Sequence, residues 1–237
     1  MNASLFLAFT AMGDAPLAAS GHRARLRQRL FAGGPKALLD HELIEYLLAL
    51  AIPRRDTKAQ AKALIDRFGG LGPLLGADAE TLRRAGLSDG VIGALKIAEV
   101  TALRLLETRI ERRDLLTSWD ALEHYLQAAM GHSAVEEVRV LFLNAKNLLL
   151  ANEVMWGGSV DEASVHVREV ISRAIALGAT GLIIVHNHPS GDPTPSTQDI
   201  RLTRDLVEAG RHMKIVVHDH VIVGSQGTTT MKALGLI

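Results

Sequence analysis

Apolar residues recur at three- and four-residue spacing through the first half of the chain. Leu38, Leu39, Leu43, Ile44, Leu47 and Leu48 form one stripe, and Ala61, Leu64, Ile65 and Phe68 form another. That period predicts helices, and breakers divide them. Gly33-Gly34-Pro35, Ile52-Pro53, residues 69–73 and residues 86–90 each interrupt it, so residues 21–113 read as about five short helices. Asp40 and Asp78 stand where N-caps are expected. A longer helix over residues 91–112 closes this half at the charged run Arg112-Arg113-Asp114.

Beyond residue 115 the period changes. Ser118 opens a helix running to 130, and residues 138–143 and 148–155 read as strands joined by a turn at 144–147. A helix over 168–177, the continuous apolar strand 182–185, a Pro/Gly loop, a helix over 198–212 and a strand over 215–223 follow. Alternating strands and helices predict a mixed sheet with helices packed on it. The expected fold is mixed α+β: a leader over 1–20, a helical all-α domain over 21–112, and an α/β domain over 115–237.

Composition narrows the chemistry. Apolar residues are 48% of the 237, enough for a core, and aromatics are 4%, so that core is aliphatic. There is no cysteine, which removes disulfides, thiolate nucleophiles and every Cys-ligated zinc class; a metal must be held by His and carboxylates. The net charge of zero hides an asymmetry: 16 Lys+Arg against 12 Asp+Glu in residues 1–112, and 10 against 14 in the rest. A nucleic-acid surface therefore belongs on the first half. No apolar run approaches the roughly 18 residues that span a bilayer. The leader is apolar, yet no Lys or Arg precedes it, so it reads as a flexible segment rather than a signal peptide. A soluble, cytoplasmic protein with no membrane partner is expected.

The informative stretch runs from Val185 to Asp199. His186 and His188 stand two apart at the end of a strand, so alternation puts both imidazoles on one face, within reach of one ion at about 2.0–2.1 Å. A loop with three prolines then delivers Asp199 inside the next helix, completing three protein ligands and leaving a fourth position for water. Ser196-Thr197-Gln198-Asp199 is equally a capping box, which explains Ser196 and Asp199 without a metal. His218-Asp219-His220 is a second His-x-His pair, but no acidic ligand follows it at useful spacing; it reads as structural, with support of the site from a neighbouring strand as the alternative. Ser159 and Ser164 suggest no nucleophile triad, and Gly157-Gly158 is too short for a phosphate loop.

His-x-His-x7-Ser-x-x-Asp, with Asn187, Pro189, Ser190 and Gly191, resembles the zinc motif of the JAMM (MPN-type) metallopeptidase fold in its bacterial RadC branch. Residues 140–147, 158–160 and 165–170, Asp219-His220 and Gly235-Leu236-Ile237 are similar to RadC landmarks, and residues 21–109 to that family's helical N-terminal domain. His166 is followed by Val167 where the family usually has proline.

The resemblance implies a Zn2+ ion on His186, His188 and Asp199, and a glutamate acting as general base. Glu136 stands at the matching place, with Glu137 as its neighbour. Ser196 is implied as a hydrogen-bond donor to the developing oxyanion. The expected function is hydrolysis of an amide or isopeptide bond in a peptide or protein substrate.

The alternative is a DNA-binding, DNA-repair-associated protein that uses its N-terminal helical domain and whose zinc domain is a non-catalytic interaction scaffold. Residues 82–98 resemble a helix-hairpin-helix, which offers backbone N–H groups to phosphate. Ser88 replaces the second glycine of that pattern and Asp89 adds negative charge. Arg23, Arg25, Arg27 and Arg29 form a basic run, although alternate residues do not share a helix face. Weak, sequence-independent DNA binding through residues 21–112 is the corresponding expectation.

Overall fold

A computed structural model describes residues 21–110, 113–158 and 166–237. The leader, Ser159 and Ser164 lie outside them. The chain divides between Leu71 and Gly72 into two compact units.

The first unit contains α1 (Gly21–Gly33), α2 (Asp40–Ala51) and α3 (Lys58–Phe68), which bury Leu26, Ile44, Leu48, Ala61 and Leu64. The α2 cap differs from the sequence reading. Leu39, not Asp40, is the N-cap, and Glu42 reaches back to accept from the Leu39 N–H at 2.9 Å. Arg29 adds two parallel bonds to the Glu42 carboxylate, at 2.7 and 2.8 Å. The Arg29 bonds first, then the Leu39 amide, hold the Glu42 carboxyl down from 4.5 to about 2.

A carboxyl depressed in this way contributes stability above its ordinary pKa, and the contribution fades as pH falls from about 4.5 through about 2. Glu42→Gln is therefore expected to cost about 1 kcal/mol at pH 7. Urea denaturation checks this, and the gap from wild type should narrow across that acidic window.

The second unit opens within α4 (Leu71–Gly76), after its first residue, and continues with α5 (Ala79–Arg84) and α6 (Asp89–Ile110). Six α-helices thus precede residue 113 among the described residues. The one beyond expectation is α4, in a stretch read as a breaker; its proline falls in the first turn, where no N–H is needed. Asp78 caps α5 as expected, accepting from the Thr81 N–H at 2.9 Å. Compactness groups α4, α5 and α6 with the sheet, whereas the charged run at 112–114 is where the sequence draws the line. The far end of α6 explains the grouping: Ile110 is buried among Leu115, Leu122, Leu126 and Leu141.

The rest is α7 (Trp119–Met130), β1 (Glu136–Leu143), β2 (Leu149–Gly158), α8 (Val167–Leu177), β3 (Gly181–Asn187), α9 (Thr197–His212), β4 (Val216–Gly224) and β5 (Gly227–Thr230). The five strands form one mixed sheet in the order β2-β1-β3-β4-β5; only the β3–β4 pairing is parallel, and α9 is the connection between these two strands. Helices α8 and α9 cover one face, over Val140, Phe142, Leu182 and Ile184, with Leu206 of α9 buried among them. α7 and the end of α6 cover the other, over Leu141, Ile183, Val185 and Val221. The central strand β3 is buried along its whole length, which is why it reads as a continuous apolar run. No described helix is long and apolar enough to cross a membrane.

Candidate metal centre

The site forms where β3 ends. His188 lies just past the strand, but its N–H still donates to the Val223 carbonyl at 2.8 Å, so extended pairing with β4 runs one residue further. Alternation therefore holds, and the rings of His186 and His188 meet edge to face at 4.8 Å, 87° apart.

His188 Nδ1 is 2.9 Å from the Asp192 backbone carbonyl. A carbonyl only accepts, so Nδ1 donates the proton and, in the neutral imidazole, Nε2 is the lone pair, 3.5 Å from Asp199 Oδ2. Such a second bond on a histidine fixes the tautomer that a metal requires.

Asp199 arrives on the first turn of α9. Ser196 is the N-cap: its Oγ accepts from the Asp199 N–H at 3.2 Å, and Asp199 Oδ2 accepts from the Ser196 N–H at 2.7 Å. The capping box and the metal reading therefore coexist, because the box aims the carboxylate. Asp199 Oδ1 lies 3.0 Å from His186 Nδ1 without hydrogen-bond geometry, and that buried nitrogen is otherwise unpartnered.

Glu136 reaches the same group from the start of β1, with Oε1 2.7 Å from His186 Nε2. Val138 faces His186 across the β1–β3 pairing, and Glu136, two residues before it, shares its face. Glu137 points the other way and is bonded by Arg139. The middle residue of the His-x-His pair sets this register locally. Asn187 accepts from the Glu137 N–H at 2.8 Å and donates to the Val135 carbonyl at 3.0 Å. Spacing alone assigns Asn187 no role, yet its place between the two histidines on an alternating strand marks it as the one facing away.

The electrostatics are those of a cation site. Burial pushes the Asp199 carboxyl up, but His186 and Ser196 outweigh it and hold the group well below the ordinary carboxylate range. Burial pushes His186 down, yet Asp199 and Glu136 leave it raised. Two carboxylates converging on a buried imidazole call for positive charge. His186, His188 and Asp199 can each direct one ligand atom into a group whose atoms lie within 4.8 Å of one another. The donor set and the otherwise unpartnered His186 nitrogen fit a bound metal ion.

A cleft of about 1190 Å³ opens on this group, with Glu136, Val138, Trp156 and Ser196 in its walls. The loop 188–195, which carries His188, rests on the end of β4, where Gly224 touches it. A Cβ there would stand 2.2 Å from the Gly191 carbonyl oxygen. Gly224→Ala is expected to cost about 1–3 kcal/mol by overpacking, read by thermal denaturation, and to weaken metal binding by displacing the loop.

His218-Asp219-His220 does not join the group. His218 sits at a bulge against Gly181, Asp219 accepts from the His220 and Lys232 N–H groups at 2.8 and 3.0 Å, and His220 is buried beside His186. Burial, then the neighbouring His186, push the His220 imidazole down to about 3, so it is neutral. His166 is the N-cap residue of α8 and makes no side-chain cap bond.

A mixed sheet flanked by helices, with a His, His, Asp group that could hold a metal ion beside the end of its central strand, is the arrangement of a JAMM-like domain. The family model for the RadC-like JAB domain matches residues 116–236, and the chain belongs to that family.

Proposed function

We propose that this protein is a zinc-dependent hydrolase that cleaves an amide or isopeptide bond in a peptide or protein substrate. The observation that carries the reading is the placement of Glu136, 2.7 Å from His186, in the same cleft as the His186, His188 and Asp199 group. A two-imidazole, one-carboxylate set favours zinc among common ions and leaves a coordination position open. Zinc held there supplies Lewis acidity, bringing the pKa of a water toward about 7.

The chain's own residues do the rest. Glu136 Oε1 accepts the proton lost by the attacking water and passes it to the leaving amine as the C–N bond breaks. Ser196 Oγ already accepts from the Asp199 N–H, so its hydroxyl proton is free to be donated to the oxyanion that develops on the carbonyl. Val138 and Trp156 give the cleft an apolar wall against which a side chain of the substrate packs. A sensitive peptidase and isopeptidase assay tests the reading: activity should rise with added zinc and fall in Glu136→Gln. Indifference to both would refute it.

The DNA-associated alternative rests on the helical segments. In residues 82–98, Arg83 bonds Asp89 at 3.1 Å and Arg84 bonds Glu80 at 3.2 Å; Arg23 donates to the Pro53 and Arg55 carbonyls. These cations are partly neutralised or spent locally, which favours the hydrolase reading.

A further inference from the structure

His220 is completely buried on β4, its ring 6.0 Å from that of His186 and stacked at 28° to it. Two short contacts meet at the Thr203 hydroxyl: 2.6 Å to the Asp199 backbone carbonyl and 2.7 Å to His220 Nδ1. Each needs a proton between its heavy atoms. The hydroxyl carries one and the carbonyl none, so the hydroxyl donates to the carbonyl and His220 supplies its Nδ1–H. The third neighbour, Met231 Sδ at 3.2 Å, is a weak acceptor. Nε2 of His220 is then a bare lone pair, with no hydrogen-bond partner among the described residues.

Space filling does not explain such a residue. An unpaired ring nitrogen inside the protein lowers stability, and an aliphatic side chain would occupy the position without that penalty. What the contact provides is a tether. His186 and His188 stand at the end of β3, which pairs in parallel with β4, while Asp199 stands on α9. The Ser196–Asp199 capping pair shapes the first turn of α9 but is internal to it. The chain from His220 through Thr203 to the Asp199 carbonyl ties that turn to the sheet carrying the histidines. A bulge makes this possible. Leu182 faces Val217 but Ile183 faces Asp219, so His218 is skipped and the phase of β4 shifts. His220, rather than His218, then comes to lie under α9.

We infer that His220 is a positioning residue which, through Thr203, holds the Asp199 carboxylate beside His186 and His188. The consequence for metal affinity rests on the metal-centre reading above; the tether itself does not.

Four variants test it. Thr203→Val and His220→Leu remove the tether; Thr203→Ser keeps the hydroxyl, and His220→Asn keeps an N–H near the Nδ1 position. Zinc affinity, measured by competition with a chromogenic chelator, should fall about 10–100-fold in the first pair, as for other groups that orient ligands. It should stay close to wild type in the second. His220→Leu should melt at or above the wild-type temperature, which a merely structural histidine would not do.

In metal-free protein, amide hydrogen exchange over residues 197–203 should rise in the first pair while residues 167–177 stay unchanged. Wild-type zinc affinity in both apolar variants, or unaltered exchange at 197–203, would overturn the inference. A wild type that takes no zinc would sink the metal-centre reading alone, and the exchange comparison would still decide the tether. Should His220→Leu fail to fold, the nearly isosteric Thr203→Val carries the same comparison.

Discussion

Glu136→Gln is expected to lower hydrolytic turnover about 10²–10⁴-fold, the range for losing a positioned general base, while leaving the metal content of the protein unchanged. Glutamine keeps the size of the side chain and an oxygen that accepts from His186 Nε2, so the imidazole stays oriented. What it loses is the ability to take a proton. Glu137→Gln provides the control. Its carboxylate is engaged by Arg139 and stands on the other face of β1, so turnover should stay close to wild type. Equal losses in the two variants would contradict the assignment of the base, and a loss of metal in Glu136→Gln would mean that Glu136 acts as a ligand.

Asp199→Ala is expected to have the larger effect on metal. It removes one of the three groups proposed to hold the ion, and affinity should fall by more than the 10–100-fold typical of outer groups. The same substitution breaks a cap, at a cost of about 1 kcal/mol, so a loss of metal could be blamed on a frayed helix. Asp199→Asn separates the two effects. Its side-chain oxygen can still accept from the Ser196 N–H, keeping the turn, while its neutral amide is a poor ligand. Chelator competition together with denaturation should find Asp199→Asn near wild type in stability and far below it in affinity. Affinity that follows stability across both variants would reduce Asp199 to a capping residue.

The parts of this site legible in the sequence are those set by local geometry. Alternation along one strand places His186 and His188 together, and a four-residue cap places Asp199, so both could be read from spacing alone. The choice between Glu136 and Glu137 could not. It depends on Val138 facing His186 across a strand pair about fifty residues apart in sequence, and a slip of one residue would exchange the two glutamates.

The sequence leaves His220 between a structural residue and a support from a neighbouring strand for a similar reason. Straight alternation gives His218 and His220 the same face, and the bulge that distinguishes them follows from how β4 packs against β3. Asp40 misled as a cap because Glu42 supplies the side-chain bond from inside the helix. The short strand β5, Gly227–Thr230, lacks the apolar alternation that marks the other strands, and its pairing with β4 is what defines it.

Elemental mass spectrometry on purified wild-type protein supplied with zinc, beside His188→Ala, tests the central claim most directly. About one zinc per chain in the wild type and none in the variant is the predicted result. A folded wild type that retains no metal would contradict it, and would leave the two histidines and Asp199 as braces of the loop between β3 and α9.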